Sequence, residues 1–346
     1  MKNDLLCAYY IQIIKVLYNK SKFERRKFFV TKYVVKRLLQ LIPIILGITF
    51  LSYAMMQVAG SDFIEQAANN TGTVMSAEAM QKAREALGLD KPFIIQYFNW
   101  LGGLLHGDMG VSYVSNKDVF GTFISKLPAT LLLTLTSIIA TMAIAIPLGI
   151  LAAVKQNKIT DYIIRIASLI GNSLPNFVVA ILLMYFLSIK LGWFPILSKG
   201  TSLYSAILPT LTLAISMGAK YLRQVRATVL EELKKDYVIG GKARGVRGKV
   251  ILWGSVLKAS MLTIVTLLAL SIGSLLGGTT IVESIFGWDG VGKLAVDSIT
   301  MRDYPMIQAY VVWMAIIYVV VNLITDLLYN YLDPRVRLGI GGGSDE

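Results

Sequence analysis

Six long apolar runs, separated by polar and charged stretches, dominate the pattern of hydrophobic positions along this chain. Each run approaches or exceeds the roughly 20 residues that an α-helix needs to cross the hydrocarbon core of a bilayer. The pattern therefore predicts an all-α, polytopic membrane protein with six transmembrane helices. The runs lie at 38–58, 130–154, 162–189, 205–222, 259–281 and 306–331.

Lysine and arginine are distributed unevenly over the segments between these runs. With the N-terminus inside, the cytoplasmic segments hold 25 of the 34 basic residues and the outer segments hold 9. Cytoplasmic loops of membrane proteins carry an excess of these residues. The bias predicts that both termini and the loop 223–258 are cytoplasmic. It also explains the net charge of +13 without nucleic acid as a partner.

The runs divide the chain into segments with different expected roles. The basic extension 1–31 and the tail 332–346 are predicted to be cytoplasmic, the first transmembrane helix to occupy 32–58, and 59–127 to lie outside. A five-helix core at 128–331 contains the loop 223–258. The extension is too long and basic for a signal peptide. It is an interfacial helix on anionic membrane lipid, a poorly ordered extension, or a stretch upstream of a natural start near Val30.

The outer segment has local signals for structure but is too short for an independent enzyme domain. Ser76 is expected to cap a helix through about Ala86, with Gly88 as its stop. Asp90-Lys91-Pro92 reads as a turn. We expect this segment to cover the outer mouth or to dock an external partner.

Residue composition argues against several kinds of site. Cys7 is the single cysteine and His106 the single histidine, so we expect no disulfide, no metal site and no cofactor. Asp326 is the main charged residue in a predicted span, and a salt bridge or snorkelling explains it best. The segment 287–293 matches part of a phosphate-binding loop, but Leu294 stands where Ser or Thr must bind magnesium.

Two sets of residues within the spans suggest particular roles. A polar interruption of the third run either lines the translocation pathway or forms a structural kink, since irregular polar backbone at membrane depth must face protein or water. Small residues in the fifth run permit close helix packing. The first set is Asn172, Ser173, Pro175 and Asn176, and the second is Gly273, Gly277 and Gly278.

The loop between the fourth and fifth runs contains a basic segment rich in small residues, at 234–245. A short helix with small side chains can insert deeply into a groove of a partner, and Gly245 can turn the chain at its end. The positive-inside rule explains the charges of this loop but not the small-residue spacing. The candidate docking residues are Asp236, Tyr237, Val238, Ile239, Gly240, Gly241, Ala243 and Gly245.

A series of short blocks along the chain resembles the first of the two permease subunits in the oligopeptide, dipeptide and nickel class of ABC importers. Each block alone is weak, but their order and spacing are specific. They are RLLQLIP at 37–43, LGLDKP at 87–92, LHGDMG at 105–110, LPAT at 127–130, SLPNF at 173–177, FGWDGVG at 286–292, RDYP at 302–305 and LDPR at 332–335.

This resemblance implies the type I ABC importer permease fold and a coupling loop of the EAA type that docks on an ATPase. Ile239, Gly240 and Gly241 occupy the Glu-Ala-Ala positions, and Gly245 occupies the later glycine. Gly241 and Gly245 are expected to lie against the ATPase groove. Gly240 and Gly241 replace the usual Ala or Thr, which costs roughly 1 kcal/mol of helix propensity each.

The resemblance also implies the partners and the setting. These are a second permease subunit, two ATPase subunits, an external substrate-binding protein and a bacterial cell membrane. The chain itself is expected not to be an enzyme, because ATP hydrolysis belongs to partner chains. Peptide is the leading substrate, with nickel or a metal chelate as the alternative. The alternative of a different class is an ion-coupled secondary carrier, for which the spans show no convincing carboxylate pair.

Overall fold

The computed structural model of the chain describes residues 35, 39–40, 42–55, 76–86, 90–198 and 200–332. The predictions for 1–31, for a start near Val30, for Gly88 and for the tail after 332 fall outside these residues. Within helices, the side chains of 77, 83–84, 86, 262, 267–274, 276–278 and 326–332 are also outside the description. The roles predicted for Gly273, Gly277, Gly278 and Asp326 therefore stay predictions.

The described residues form helices and their connections, apart from one isolated β-bridge between Val111 and Asp118. The all-α prediction is confirmed. We number the helices α1 (Ile42–Met55), α2 (Ala77–Ala86), α3 (Phe93–Leu105), α4 (Val119–Val154), α5 (Ile159–Ser173), α6 (Asn176–Leu183), α7 (Leu203–Leu233), α8 (Asp236–Ala243), α9 (Gly248–Ile251), α10 (Leu257–Phe286), α11 (Val291–Met301) and α12 (Tyr304–Leu332). Helices α6 and α9 continue as π-helical stretches, Met184–Lys190 and Leu252–Val256.

The chain divides into two compact units, Met1–Ile48 and Thr49–Glu346. The first unit includes the beginning of α1. In the second unit, the end of α1 contacts α3 through a hydroxyl pair between Thr49 and Tyr97 (3.0 Å) and a hydrogen bond from the Tyr53 hydroxyl to Gln96 (3.2 Å). The predicted cap of α2 is present, because the Ala79 N–H donates to the Ser76 hydroxyl.

Three stretches of the described residues are long and apolar enough to cross a membrane: Val119–Val154, Gly248–Thr266 and Tyr304–Thr325. The pair formed by α5 and α6 with its π-helical continuation makes a fourth if it is one broken span. The structure describes the first predicted span only over the short helix α1. Helix α7 covers the fourth predicted span but is less apolar than the three stretches above. A polytopic helical protein is thus supported, and the count of six stays a prediction.

The third predicted span is not one continuous helix. Helices α5 and α6 are bent by 104° at Leu174 and Pro175. Pro175 has no N–H for the helix ladder, and its ring disfavours the helical conformation of the residue before it. Leu174 accordingly adopts an extended backbone with ψ of 127°, and a new helix begins after Pro175.

Helices α4 and α7 run side by side in the same direction and define two ends of the bundle. Leu133 and Leu213 share one buried cluster, and Ile150 and Val225 share another. The second cluster also includes Val238 of α8, so we call this the α8 end. The first cluster reaches the loop before α11 and marks the opposite, α11 end.

The bent pair formed by α5 and α6, and also α10, connect these two ends. Asp161, at the start of α5, bonds to Arg226 of α7, whereas Ala180 of α6 packs in the cluster of the α11 end. Helix α10 likewise leads from the α8 end, where Ile264 is buried, to Phe286 at the α11 end. The bent pair, α5 and α6, therefore contacts the bundle at the α8 end through α5 and at the α11 end through α6.

Candidate functional site

Helix α8 is attached to the α8 end of the bundle by one of its faces. Val238 is 0% exposed and belongs to the cluster that contains Val229 and Ile251. Gly241 is buried one turn later, and a Cβ atom there would lie 3.1 Å from the Ile251 Cδ1 atom. Two of the predicted docking residues thus face the chain's own core, so the expectation that Gly241 lies against a partner's groove is not supported by its surroundings.

The other face of α8 points away from the chain. Ile239 is 59% exposed on this face. A Cβ atom added at Gly240 would meet no atom of the described residues within 4 Å. Asp236, Tyr237 and Ala243 are also exposed. This face provides an apolar, sterically open surface.

The end of α8 follows a standard helix-stop geometry. Gly245 has a φ of +79°, which glycine adopts without strain. Its N–H donates to the Lys242 carbonyl, and the Val246 N–H donates to the Gly241 carbonyl, as in a Schellman motif. The expected turn at Gly245 is confirmed. The chain's own backbone conformation requires glycine at this position.

A polar contact at the end of α7 fixes the start of α8. The Tyr237 hydroxyl donates to the Glu232 carboxylate at 2.9 Å, and Lys235 forms an ion pair with the same carboxylate. Partial burial, followed by this hydrogen bond, raises the pKa of Tyr237 to about 12. Our sequence analysis missed the role of Glu232, although its spacing from Lys235 is typical of an ion pair on one helical turn.

A second polar contact at this end joins α5 to α7. Asp161 is 0% exposed and accepts two hydrogen bonds from Arg226, at 2.7 and 2.8 Å, and one from the Asn157 N–H at 3.0 Å. A buried carboxylate requires such partners. The two residues are 65 positions apart, so no local pattern could have revealed the pair.

The four residues predicted to line a pathway lie together at the bend between α5 and α6. Asn172, Ser173 and Pro175 are exposed in the isolated chain, and Asn176 is half-buried. The neighbouring Gly171 faces α7, where a Cβ atom would lie 3.1 Å from the Ala219 side chain. The kink and the exposed polar surface occur at one place, so the two interpretations are compatible.

At the α11 end, Glu283 is a buried carboxylate that our sequence analysis missed. It accepts hydrogen bonds from the Thr130 hydroxyl at 2.8 Å and from the Lys293 N–H at 3.0 Å. The Glu283 carboxylate thereby accepts from the N-terminus of α11, where a helix favours a nearby negative charge. The backbone passes so close to this carboxylate that a Cβ atom at Gly290 would overlap it, and one at Gly292 would lie 2.7 Å from the Thr280 Cα atom.

The glycine pattern at 287–293 is therefore explained by packing. Gly287 ends α10 with a φ of +62°, and the fully buried Trp288 donates its indole N–H to the Ala129 carbonyl at 3.0 Å. Blocks 127–130 and 286–292, which are distant in sequence, meet in this contact.

Two further blocks meet nearby. Asp303 is buried and accepts hydrogen bonds from the Ser112 hydroxyl at 2.5 Å and the Tyr113 N–H at 3.1 Å. Met109 accepts a hydrogen bond from the Trp313 indole at 3.2 Å. Ser112 closely follows block 105–110, so the spacing of these blocks reflects contacts within the fold. Among the described residues, no group of three or more His, Cys, Asp or Glu side chains could hold a metal ion.

Comparison with known sequences identifies the family. The profile described as "Binding-protein-dependent transport system inner membrane component" matches residues 145–338, and the corresponding N-terminal profile matches residues 30–134. The chain belongs to this family. It is thus an inner membrane component of a binding-protein-dependent transport system, as the resemblance predicted.

Individual relatives agree with this assignment. The oligopeptide transport system permease protein AppB of Bacillus subtilis (strain 168) is 38% identical over 319 residues, which cover 88% of this chain and 99% of that protein. The nickel import system permease protein NikB of Staphylococcus aureus (strain MRSA252) is 34% identical over 313 residues, covering 90% and 94%. Both are permease components of importers, and so is this chain.

A solved structure supports the fold. A chain of the MetNI methionine ABC transporter, from an inward-facing crystal form, superimposes with a TM-score of 0.51. The match covers 61% of this chain and 96% of the other, at 16% sequence identity. The predicted ABC importer permease fold is therefore confirmed.

Proposed function

We propose that this permease forms half of a translocation pathway for di- and oligopeptides, and that α8 couples it to separate ATPase subunits. The observation that carries the coupling proposal is the division of α8 into two faces. Val238 and Gly241 attach the helix to the bundle, whereas Ile239 and Gly240 lie on an open surface. An apolar residue beside a glycine on such a surface suits insertion into a partner's groove.

The surroundings of α8 favour transmission of force. Its start is tied to α7 through Glu232, and α7 is tied to α5 through Asp161 and Arg226. A push on the exposed face would therefore reach two long helices through fixed polar contacts and the buried cluster around Val238. Rigid-body shifts of packed helices are a common way to switch between conformations.

The lysine and arginine bias supports a cytoplasmic location for the α8 end and both termini, in a bacterial cell membrane. Labelling sealed cells with an impermeant thiol reagent, after Cys7→Ser, tests this orientation. Gly248→Cys should stay unlabelled, and Lys117→Cys should react. Reaction of Gly248→Cys without reaction of Lys117→Cys would reverse the orientation.

The proposed assembly contains this chain, a second permease subunit, two ATPase subunits and an external substrate-binding protein. In it, Asn172, Ser173, Pro175 and Asn176 contribute to the pathway, because they are polar or exposed at the break between α5 and α6. The subunit itself carries out no covalent chemistry. Gly273, Gly277 and Gly278 are proposed to allow close packing of α10.

Peptide is the proposed substrate because the oligopeptide permease AppB is 38% identical and is covered over 99% of its length. Nickel, free or chelated, is the second candidate because NikB is 34% identical. In binding-protein-dependent systems the binding protein is expected to select the substrate. The assay must therefore use the transporter assembled with its binding protein.

The test is uptake by the transporter purified through a tag on this chain and reconstituted into vesicles with its binding protein. We expect ATP-dependent accumulation of a labelled oligopeptide and no accumulation with a non-hydrolysable nucleotide. Accumulation of ⁶³Ni²⁺ instead of peptide would select the second candidate. Uptake driven by a proton or sodium gradient, in vesicles that contain this chain and no ATPase, would indicate a secondary carrier and contradict the proposal.

A further inference from the structure

A cleft of about 360 Å³ lies between α5 and α7 at the α8 end. Its walls combine three arginines with aromatic and aliphatic side chains. These are Arg165, Arg223 and Arg226, together with Tyr162, Ile166 and Leu169. Apart from Arg226, the residues that line this cleft have no role in the coupling mechanism described above.

Two of the three arginines have no carboxylate partner among the described residues. Arg226 is engaged by Asp161, whose oxygens already accept three hydrogen bonds and are fully buried. Arg165 lies 5.7 Å from the ring centre of Tyr162, and Arg223 is exposed. The three arginines outnumber this one carboxylate, so the cleft keeps an excess of positive charge.

An apolar surface continues from these charges along α5. Ile163, Ile166, Leu169 and Ile170 are all more than half exposed and lie on the path from the cleft towards the bend. In a membrane this surface faces lipid chains or another helix. The cationic part and the apolar part together match a molecule with an anionic head and a hydrocarbon tail.

We propose that this cleft binds an anionic phospholipid, with the headgroup phosphate on Arg165 and Arg223 and an acyl chain along the exposed side of α5. Guanidinium groups recognise phosphate through paired hydrogen bonds. Basic pockets between transmembrane helices on the cytoplasmic side are suited to such headgroups. The bound lipid would brace α5 against α7 beside the Asp161–Arg226 pair. This proposal does not depend on the transported substrate.

Lipid binding by the full-length protein, measured by native mass spectrometry after delipidation in detergent, tests the proposal. Phosphatidylglycerol should bind, and phosphatidylcholine should bind much more weakly. Arg165→Gln combined with Arg223→Gln should weaken phosphatidylglycerol binding by about tenfold or more, since each basic residue near an anionic surface contributes roughly a fivefold factor. Arg165→Lys with Arg223→Lys should retain most of the binding.

The matched control removes two exposed cations from the same end but outside the cleft, through Lys155→Gln with Lys158→Gln. It should change the affinity less than twofold. Equal weakening by both pairs would show diffuse charge attraction and overturn the proposal, as would no weakening by the arginine pair. Melting temperatures of all variants establish that they are folded.

Two more results would assign the cleft to another ligand. Inorganic phosphate should not displace the lipid at millimolar concentration. Displacement would mean that the tail contributes nothing and that the site takes free anions. Phosphatidylglycerol should also stay bound in the transporter assembled with its partner subunits. Its loss on assembly would show that the cleft is a protein interface, and the lipid proposal would fall.

Discussion

The two ends of the bundle each contain a buried carboxylate, but different groups satisfy it. At the α11 end, Glu283 accepts from the Thr130 hydroxyl and a backbone N–H, with glycine backbone packed directly against it. At the α8 end, Asp161 accepts from the Arg226 side chain, which joins α5 to α7. Both carboxylates are satisfied within the chain, but the α8 end also carries the exposed face of α8 around Ile239.

This difference separates residues that the fold requires from residues that face outward. The glycines and aromatics at 286–292 are required for the chain to fold around Glu283, whatever it binds. Among the described residues, nothing lies within 4 Å of a Cβ atom at Gly240, and Ile239 is 59% exposed, so both positions suit the proposed contact with a partner. Substitutions at the two ends should accordingly separate stability from coupling.

The largest loss of stability is expected when Arg226 at the α8 end is replaced. Arg226→Met removes the guanidinium that donates two hydrogen bonds to the buried Asp161 carboxylate, and breaking a buried pair costs about 3–5 kcal/mol. Thermal unfolding in detergent should show a large decrease in melting temperature. The exposed Lys234→Met serves as the control. Arg226→Met combined with Asp161→Asn should recover part of the loss, and an unchanged melting temperature for Arg226→Met alone would contradict the structure.

A somewhat smaller loss is expected from overpacking at the α11 end. The Cβ atom of Gly292→Ala would lie 2.7 Å from backbone at Thr280, where neither atom can move freely, and overpacking of this kind costs roughly 1–3 kcal/mol. Gly240→Ala at the α8 end meets open space and should stabilise α8 slightly through helix propensity. Similar melting temperatures for the two variants would contradict the proposed difference between the two ends of the bundle.

The smallest effect concerns the link between α7 and α8. Tyr237→Phe removes the hydrogen bond to Glu232 and should cost about 1 kcal/mol. Because the pKa of Tyr237 is raised to about 12, its contribution is present below pH 10 and is lost as the pH rises through 12. The difference in ultraviolet absorbance between wild type and Tyr237→Phe should titrate near pH 12. A transition near pH 10 would show that the hydroxyl is free.

Local sequence patterns were sufficient for the helical class, the cap at Ser76 and the turn at Gly245, because each depends on neighbouring residues. They were insufficient for the pairs Asp161–Arg226 and Thr130–Glu283, whose members are 65 and 153 positions apart. They also did not show which side of α8 faces the bundle, since Gly240 and Gly241 are adjacent and chemically identical. Only the contact of Gly241 with Ile251 distinguishes them.

That distinction determines how the coupling proposal should be tested. A side chain at Gly241 would press on Ile251, and one at Gly245 would strain a left-handed backbone, so either would change the chain's own packing or conformation without a partner. At Gly240, a Cβ atom meets no described residue within 4 Å and the backbone is helical. We therefore expect a large side chain there to be harmful where another molecule approaches.

The most direct measurement is substrate-stimulated ATP hydrolysis and uptake by the assembled transporter carrying Gly240→Trp. Gly254→Trp in the π-helical stretch after α9, where a Cβ atom also meets no described residue within 4 Å, is the matched control. We predict that Gly240→Trp leaves the melting temperature of the isolated subunit unchanged but strongly reduces both activities, while Gly254→Trp retains them. Full uptake and full stimulation of ATP hydrolysis by the Gly240→Trp transporter would contradict the docking of α8 on the ATPase.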